Sequence, residues 1–159
     1  SVYPKTDIQR CLVHVMRNIA WKVRVNDRSV ILNDFKQIRK QSNKTDAMNC
    51  LNDFITKWDK TYPKVTESLK GNDYLLTFFD YPESIRPSLY TTNPIEGLNK
   101  DLKRKFKVKI QFPSEESLEK YLVSRFDEYN YKGSSRVFKG FGLALAELQN
   151  KIVEKYSIS

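Results

Sequence analysis

Apolar residues recur at steps of three and four through most of this chain, and this spacing is the feature that most restricts its fold. One face of an α-helix repeats with that period, whereas strict alternation of apolar and polar residues is typical of a half-buried strand. Alternation occurs only at residues 7–12 and 106–112. We therefore predict a mainly α fold in which over half of the residues are helical, with at most one or two short strands.

The helical spacing divides the first half of the chain into four predicted helices. They cover residues 12–25, 29–41, 43–63 and 64–80. Thr45 or Asp46 can cap the third of these helices, and Pro63 marks its end. Gly71 and Asn72 form a candidate break in the fourth helix.

The stretch from residue 80 to residue 94 contains three prolines, and it predicts an extended connection. This stretch is the best candidate boundary in the chain, and we place the division between residues 1–85 and 86–159. Three further helices are predicted after it, beginning at Asn93, at Pro113-Ser114 and near residue 138. The last of them carries an apolar stripe that we expect to face inward: Phe141, Leu145, Leu148, Ile152 and Tyr156.

Charge and composition narrow the classes of partner. The 159 residues carry a formal net charge of +9, which favours a polyanion such as nucleic acid and, less strongly, an anionic membrane surface. No run of 18 apolar residues occurs, so we expect no transmembrane helix. The two cysteines imply no disulfide framework, and reduced thiols in a cytoplasmic setting are the simplest expectation.

The segment NPIEG at residues 93–97 contains the signals of a helix start. Asn93 is a favoured N-cap, and Pro94 suits the first helical position because its missing N–H has no helical partner there. Glu96 then falls at the third position, where its side chain can reach back to the cap. Capping of the helix is therefore a sufficient explanation for a glutamate at position 96.

The same helix carries a row of cations behind that glutamate. At about 100° per residue, Glu96 aligns with Lys100, Lys103 and Lys107, and Arg104 extends the basic run. The row is either a solvated face with a weak Glu-Lys pair or a divalent-metal ligand at the head of a phosphate-binding track. The spacing alone does not separate these two interpretations.

A second basic face is predicted on the first helix. Arginines and His14 share this face with Trp21: Arg10, Arg17, Arg24 and Arg28. The arginines either contact DNA or are solvated, and we leave both interpretations open. Trp21 and Trp58 are predicted as core aromatics, because that role is more frequent for tryptophan than base stacking.

Three stretches, in order, carry a family resemblance. They are IQRCLVHVMRNI at 8–19, YTTNPIEGLNKDLKRK at 90–105 and FPSEESLEKYL at 112–122. In these stretches the chain resembles the bacterial Mutator-type transposases, a family of DDE transposases encoded by insertion sequences. Cys11, His14 and Asn93 lie at family motif positions, and the middle stretch is the most specific of the three.

The resemblance implies the C-terminal part of a ribonuclease H-like DDE catalytic core with an all-helical insertion. Residues 1–85 would hold the end of the first core part plus the insertion, and residues 86–159 would return to the core. Glu96 matches the last acidic residue of the triad, and both family aspartates lie upstream of the Cys-x-x-His motif. Asp7 does not match either of them, because it directly precedes that motif.

The implied chemistry is DNA cleavage and strand transfer by two Mg²⁺ or Mn²⁺ ions held by three carboxylates. Implied partners are the transposon's terminal inverted repeats, target DNA and further copies of the transposase. One carboxylate cannot hold two such ions, so we expect this chain alone to be catalytically inactive. The resemblance does not require a metal at Cys11 and His14, and packing beside the active site is favoured over zinc, since a structural zinc site needs four ligands and the chain offers only one further cysteine and no further histidine.

One alternative to the enzyme remains open. A non-catalytic basic helical module that binds DNA or a protein partner would show the same charge and the same helical spacing, with Glu96 serving only to start its helix.

Overall fold

The computed structural model describes residues 4–108, 111–135, 138 and 140–156, with the backbone alone for Asn93 and Pro94. Within these residues the regular structure consists of helices, and no strand occurs. The predicted mainly α fold is therefore confirmed. The longer helices are α1 Leu12–Lys22, α2 Val25–Ile38, α3 Lys44–Trp58, α6 Asn93–Val108, α7 Glu115–Gly133 and α8 Phe141–Tyr156. The short ones are α4 Pro63–Glu67 and α5 Arg86–Leu89.

The chain divides into two compact units. The first comprises Ser1–Thr91 with Leu143–Ser159, and the second comprises Thr92–Gly142. The first unit thus contains α1 to α5 and most of α8, while the second contains α6 and α7. The division predicted between residues 1–85 and 86–159, with its assignment to parts of a ribonuclease H-like core, stays a prediction.

The core of the first unit lies among α1, α2, α3 and the segment that follows them. Each of these helices buries one apolar stripe, and Phe35 of α2 meets Phe54 of α3 edge-on at a ring distance of 5.5 Å. The buried stripes contain Leu12, Val15 and Ile19, then Ile31, Phe35 and Ile38, then Ala47, Leu51 and Phe54. The three- and four-residue spacing therefore identified most of the inward residues, but Val30, which is also predicted to face inward on the second helix, is 51% exposed.

The predicted first and second helices have the wrong ends. The backbone turns extended at Val23 and Arg24, so α1 stops at Lys22 and α2 starts four residues earlier than predicted. This break lets the Val23 side chain enter the core, where 6% of it is exposed. Tyr62 supports the new helix start, because its hydroxyl accepts the Arg24 N–H at 3.3 Å and donates to Asp27. The contact with Asp27 raises the pKa of Tyr62.

The cap of α3 also differs from the prediction. Asn43 occupies the N-cap, and its side-chain oxygen accepts the Asp46 N–H at 2.8 Å. Neither Thr45 nor Asp46 is the cap. Asparagine is a strong N-cap because its short side chain reaches the unpaired N–H groups of the first turn.

The predicted helix over residues 64–80 is wrong beyond its first turn. Pro63 begins α4 instead of ending α3, and α4 stops at Glu67. Gly71 has a φ of +66°, a left-handed conformation that glycine adopts without steric cost and that interrupts the segment where a break was predicted. Two 3₁₀ turns follow, Asp73–Leu75 and Thr77–Asp80.

The proline-rich connection is compact, so the predicted extended conformation is wrong. It forms the 3₁₀ turn Glu83–Ile85 and then α5. Ile85 of this connection is buried, as are Leu75, Leu76, Phe78 and Phe79 in the turns that precede it. Gln9 holds these preceding turns, since its amide accepts the Phe78 N–H at 2.7 Å and donates to the Leu75 carbonyl at 3.1 Å.

In the second unit, three aromatic rings pack where α6 ends and α7 begins. Phe106, Phe112 and Tyr121 form a triangle with ring distances of 5.4 to 5.9 Å. Ser114 caps α7 by accepting the Ser117 N–H at 3.2 Å, so the predicted helix start at Pro113-Ser114 is confirmed. The extended segment predicted over 106–112 is wrong at 106–108, which continue α6, while residues 109–110 lie outside the described part.

The last helix, α8, is anchored to the first unit by polar contacts. Lys155 pairs with Asp7 at 2.6 Å, and the Tyr81 hydroxyl donates to the same carboxylate at 2.5 Å. These two hydrogen bonds lower the pKa of Asp7, and burial together with the Asp7 contact raises the pKa of Tyr81 to about 12. The predicted inward stripe is wrong in part, because Leu145 is 56% and Ile152 51% exposed.

Candidate functional site

Glu96 lies in the first turn of α6, one position later than predicted. The helix begins at Asn93, so Thr92 takes the cap position and its carbonyl accepts the Glu96 N–H at 2.9 Å. Asn93 is therefore the first helical residue and not the cap. Glu96 is thus the fourth helical residue instead of the third, and its N–H already forms a helical hydrogen bond with the Thr92 carbonyl.

The Glu96 carboxylate is held by a side-chain hydrogen bond within this turn. The hydroxyl of Thr92 donates to Oε1 of Glu96 at 2.8 Å, and the glutamate is half-buried. A hydrogen bond to an ionised carboxylate is stronger than a neutral one, and it limits the rotamers that the side chain can adopt. The position of the carboxylate is thus set both by the helix start and by the preceding threonine.

Sequence reasoning named Glu96 but did not assign a role to Thr92. The available signal was the four-residue separation between a threonine and a glutamate across a helix start, which places the two side chains on the same side of the first turn. The predicted capping box instead pairs Glu96 with Asn93, three residues before it.

The part of the chain that the structure describes contains no group of three side chains among His, Cys, Asp and Glu that could hold a metal ion. Glu96 offers one carboxylate, and a Mg²⁺ or Mn²⁺ pair needs several oxygen ligands. The residues described here therefore do not fit such an ion pair by themselves. A metal site at Glu96 therefore needs further oxygen ligands.

The lysine row predicted on α6 is exposed. Lys100, Lys103 and Lys107 all lie on the surface of this helix. Within the described residues, none of the three forms an ion pair, so their positive charges are not neutralised locally. The row therefore presents three ammonium groups along one face of the helix whose first turn contains Glu96.

The other two cations of α6, Arg104 and Lys105, form ion pairs. Arg104 donates to Asp101 at 2.6 Å, and Lys105 lies 3.0 Å from Asp101 and 3.6 Å from Glu128. These contacts, the Arg104 hydrogen bond foremost, lower the pKa of Asp101. The Arg104 side chain is still 78% exposed, so an anion can reach its guanidinium despite the pair.

The basic face predicted on the first helix is present only in part, because Arg24 directly precedes α2 and Arg28 lies within α2, where it is half-buried. Arg10, His14 and Arg17 are exposed, as is Trp21, whose side chain is 79% exposed. The prediction that Trp21 belongs to the core is therefore wrong. Trp58 does pack against the core, and its indole N–H donates to Asp34 at 3.0 Å.

The Cys-x-x-His motif places its two side chains in different environments. Cys11 is buried, with 8% exposed, as the residue before α1, whereas His14 lies on the exposed side of that helix. The motif thus adds one small apolar contact to the core and one imidazole to the surface.

Among the residues described, no helix is both long enough and apolar enough to cross a lipid bilayer.

Comparison with known proteins assigns the chain to a family. The family model described as the Mutator family of transposases matches residues 1–134. The transposase for insertion sequence element IS905 of Lactococcus lactis is 49% identical over 150 residues, covering 94% of this chain and 38% of the relative. The transposase for IS1201 of Lactobacillus helveticus is 52% identical over 123 residues, covering 77% and 33%. That for ISRM3 of Rhizobium meliloti is 32% identical over 124 residues, covering 77% and 31%.

The matched region is only a part of each relative. The chain spans between about a third and two fifths of the length of these curated transposases. Because both the family model and the relatives cover most of the chain itself, the assignment does not depend on one motif. The chain belongs to the Mutator family of transposases.

Proposed function

We propose that this chain contributes the last acidic residue and part of the DNA-binding surface of an insertion-sequence transposase of the DDE type. The observation that carries the proposal is the Glu96 carboxylate, held at 2.8 Å by Thr92 at the head of the exposed lysine row. A carboxylate beside three uncompensated lysines can face a divalent ion while the lysines follow a phosphate backbone.

In this proposal the activity belongs to the intact transposase. Two Mg²⁺ or Mn²⁺ ions, if bound, would supply Lewis-acid chemistry for displacement at phosphorus. Glu96 supplies one oxygen ligand, and two aspartates from outside this chain supply the others. The ribonuclease H-like architecture of the completed core belongs to the same proposal, as do the terminal inverted repeats, the target DNA and the partner transposase copies.

The residues of this chain have separate tasks in the proposal. Thr92 orients the Glu96 carboxylate, and the lysines of α6 hold the DNA backbone near it. Arg10 and Arg17 add contacts on a separate surface. Strand cleavage by an intact transposase, with and without Glu96→Gln, tests the catalytic part directly.

The lysine row leads to a prediction about binding. We expect the chain to bind duplex DNA without sequence preference at roughly micromolar concentration, with an affinity that falls steeply as salt rises. Lys103→Ala should weaken binding several-fold and reduce the slope of log affinity against log salt by about 1. A mobility-shift titration at low and moderate salt measures both quantities.

Lys64→Ala is the matched control for Lys103→Ala, because it removes the same charge from an exposed position on α4. If both variants weaken binding equally, net charge and not the α6 row accounts for the affinity. An absence of binding even at low salt would contradict the proposed DNA contact.

The threonine leads to a second prediction. Thr92→Val in an intact transposase removes the hydroxyl that holds the Glu96 carboxylate while keeping the side-chain volume. A hydrogen bond to a charged group is worth about 1.5–3 kcal/mol, so we expect strand cleavage to slow by about 10- to 100-fold. The Mg²⁺ concentration needed for half-maximal cleavage should rise as well, because the carboxylate is less well oriented.

Thr92→Ser is the matched control for Thr92→Val, since serine keeps the hydroxyl and the capping ability. Its cleavage rate should stay within a few-fold of wild type. Thermal melting separates stability from catalysis, because loss of a cap alone costs about 0.5–2 kcal/mol of stability without changing the Mg²⁺ dependence. An unchanged Mg²⁺ dependence in Thr92→Val would show that the threonine only starts the helix.

A further inference from the structure

Trp21 has an unusual position for a tryptophan. It lies on the last turn of α1, about 120° to 180° around the helix from the buried Leu12, Val15 and Ile19, and 79% of it is exposed. Tryptophan is normally buried to a large extent, so a solvent-exposed indole leaves a large apolar surface available for a binding partner. Within the described part of the chain, no aromatic ring and no cation packs against it.

The surroundings of Trp21 are positively charged. Arg17 lies one turn before it on the same side of α1, Lys22 follows it directly, and Arg24 comes two residues later; all three are exposed. No acidic residue occurs anywhere in α1, whose sequence is LVHVMRNIAWK. A protein partner could match these charges with carboxylates and pack on the indole, whereas a nucleic acid strand supplies a negative charge and a flat ring at every nucleotide.

A nucleic acid strand matches both features at once. Its phosphates complement the guanidinium and ammonium groups, and each of its bases has a flat π-face that stacks on an aromatic side chain. Bases inside a perfect duplex are already stacked on each other and do not offer their faces. The combination therefore selects DNA in which at least one base is unpaired.

We propose that the outer face of α1, formed by His14, Arg17 and Trp21, binds single-stranded or locally opened DNA, with Trp21 stacking on an unpaired base. The inference builds on the proposed transposase function, and it adds which state of the DNA this surface recognises. Arg17 holds the backbone on one side of the stacked base. This face belongs to the first unit, and its proposed ligand differs from that of the α6 lysine row, which is proposed to follow duplex phosphates.

Equilibrium binding of the chain to three probes tests this inference. The probes are an oligothymidylate strand, a duplex with a short unpaired loop, and the same duplex fully paired. For Trp21→Ala we expect the affinity for the first two probes to fall by about 5- to 100-fold, while the affinity for the paired duplex changes less than about two-fold. Trp21→Phe should recover most of the loss, because phenylalanine keeps a stacking ring.

Val25→Ala is the matched control, because Val25, four residues after Trp21 at the start of α2, is 74% exposed and has no ring. It should leave all three affinities unchanged. Arg17→Ala should lower the affinity for all three probes and reduce their salt dependence, which distinguishes a phosphate contact from stacking. Because Trp21 is exposed, Trp21→Ala should fold normally, and a far-ultraviolet circular dichroism spectrum verifies this.

Tryptophan fluorescence gives an independent measurement, since the chain contains only two tryptophans and Trp58 packs against the core. Oligothymidylate should quench the emission of the wild-type chain and leave the emission of Trp21→Phe nearly unchanged. Unchanged single-strand affinity in Trp21→Ala, or an equal loss for all three probes, would overturn the inference. These measurements involve neither Glu96 nor a metal ion, so the inference and the catalytic proposal fail separately.

Discussion

Glu96→Gln, made in an intact transposase containing this segment, should abolish DNA cleavage and strand transfer while leaving the melting temperature nearly unchanged. Glutamine keeps the size and one carbonyl oxygen, so it can still accept the hydrogen bond that Thr92 donates at 2.8 Å. It loses the negative charge that a divalent ion needs from its ligand. Because altering groups that merely support metal ligands costs about 10- to 100-fold, we expect a loss of at least about 100-fold.

The measurement is cleavage of a labelled terminal-repeat substrate with Mg²⁺, together with a binding assay on the same DNA. Binding should be retained, since the lysines are unchanged. Glu119→Gln is the matched control, because this glutamate is exposed on α7 in the same unit. Its cleavage rate should equal that of wild type.

Near-normal transposition by Glu96→Gln would remove Glu96 from the catalytic set. Glu96 would then serve only the start of α6, and a non-catalytic basic module would be the better description of the chain. If the glutamine variant unfolds, Glu96→Asp keeps the charge, and its Mg²⁺-dependent cleavage decides the question.

Phe78→Ala should destabilise the first unit more than any surface substitution in this chain. Its ring is 1% exposed, lies 4.3 Å from the ring of Phe79 and meets Tyr90 edge-on at 5.1 Å. Removing a buried phenylalanine costs about 3–5 kcal/mol through lost contacts and the cavity left behind. Since the free energy of unfolding of a small domain is about 5–15 kcal/mol, the variant should lose a large share of its stability.

Urea unfolding followed by circular dichroism measures this loss as a lower midpoint with little change in slope. Phe138→Ala is the matched control, because Phe138 is 57% exposed and its removal should change stability by less than about 1 kcal/mol. A loss in Phe78→Ala as small as that of the control would show that the 3₁₀ segment is not part of the core.

Local sequence patterns predicted the longer helices and Glu96 as the candidate metal-binding residue. The inward faces of α1, α2 and α3 follow from apolar spacing, and the start of α7 at Ser114 follows from a serine cap. The position of Glu96 at the head of α6 was predicted to within one residue. These features depend on hydrogen bonds and side-chain packing within one or two helical turns, which neighbouring residues decide.

The short turns of residues 73–89 and the helix break at Val23 could not be predicted in the same way. Residues 73–89 form short turns because Phe78 and its neighbours enter a core built mainly by other helices. Their backbone is held by Gln9, which is 69 residues away from Phe78 in sequence. Apolar spacing carries no information about contacts at that separation, and tertiary burial overrides local preference.

Residue patterns along the chain predict a mainly helical protein of the Mutator transposase family, with a net positive charge and a glutamate at the start of a lysine-bearing helix. They do not reveal that Thr92 holds the Glu96 carboxylate, that Trp21 is exposed to solvent or that Phe78 is buried in the core. The position of a residue in the helical repeat gives the direction of its side chain, whereas its burial depends on whether another part of the chain packs on that side. For Trp21, none of the described residues does.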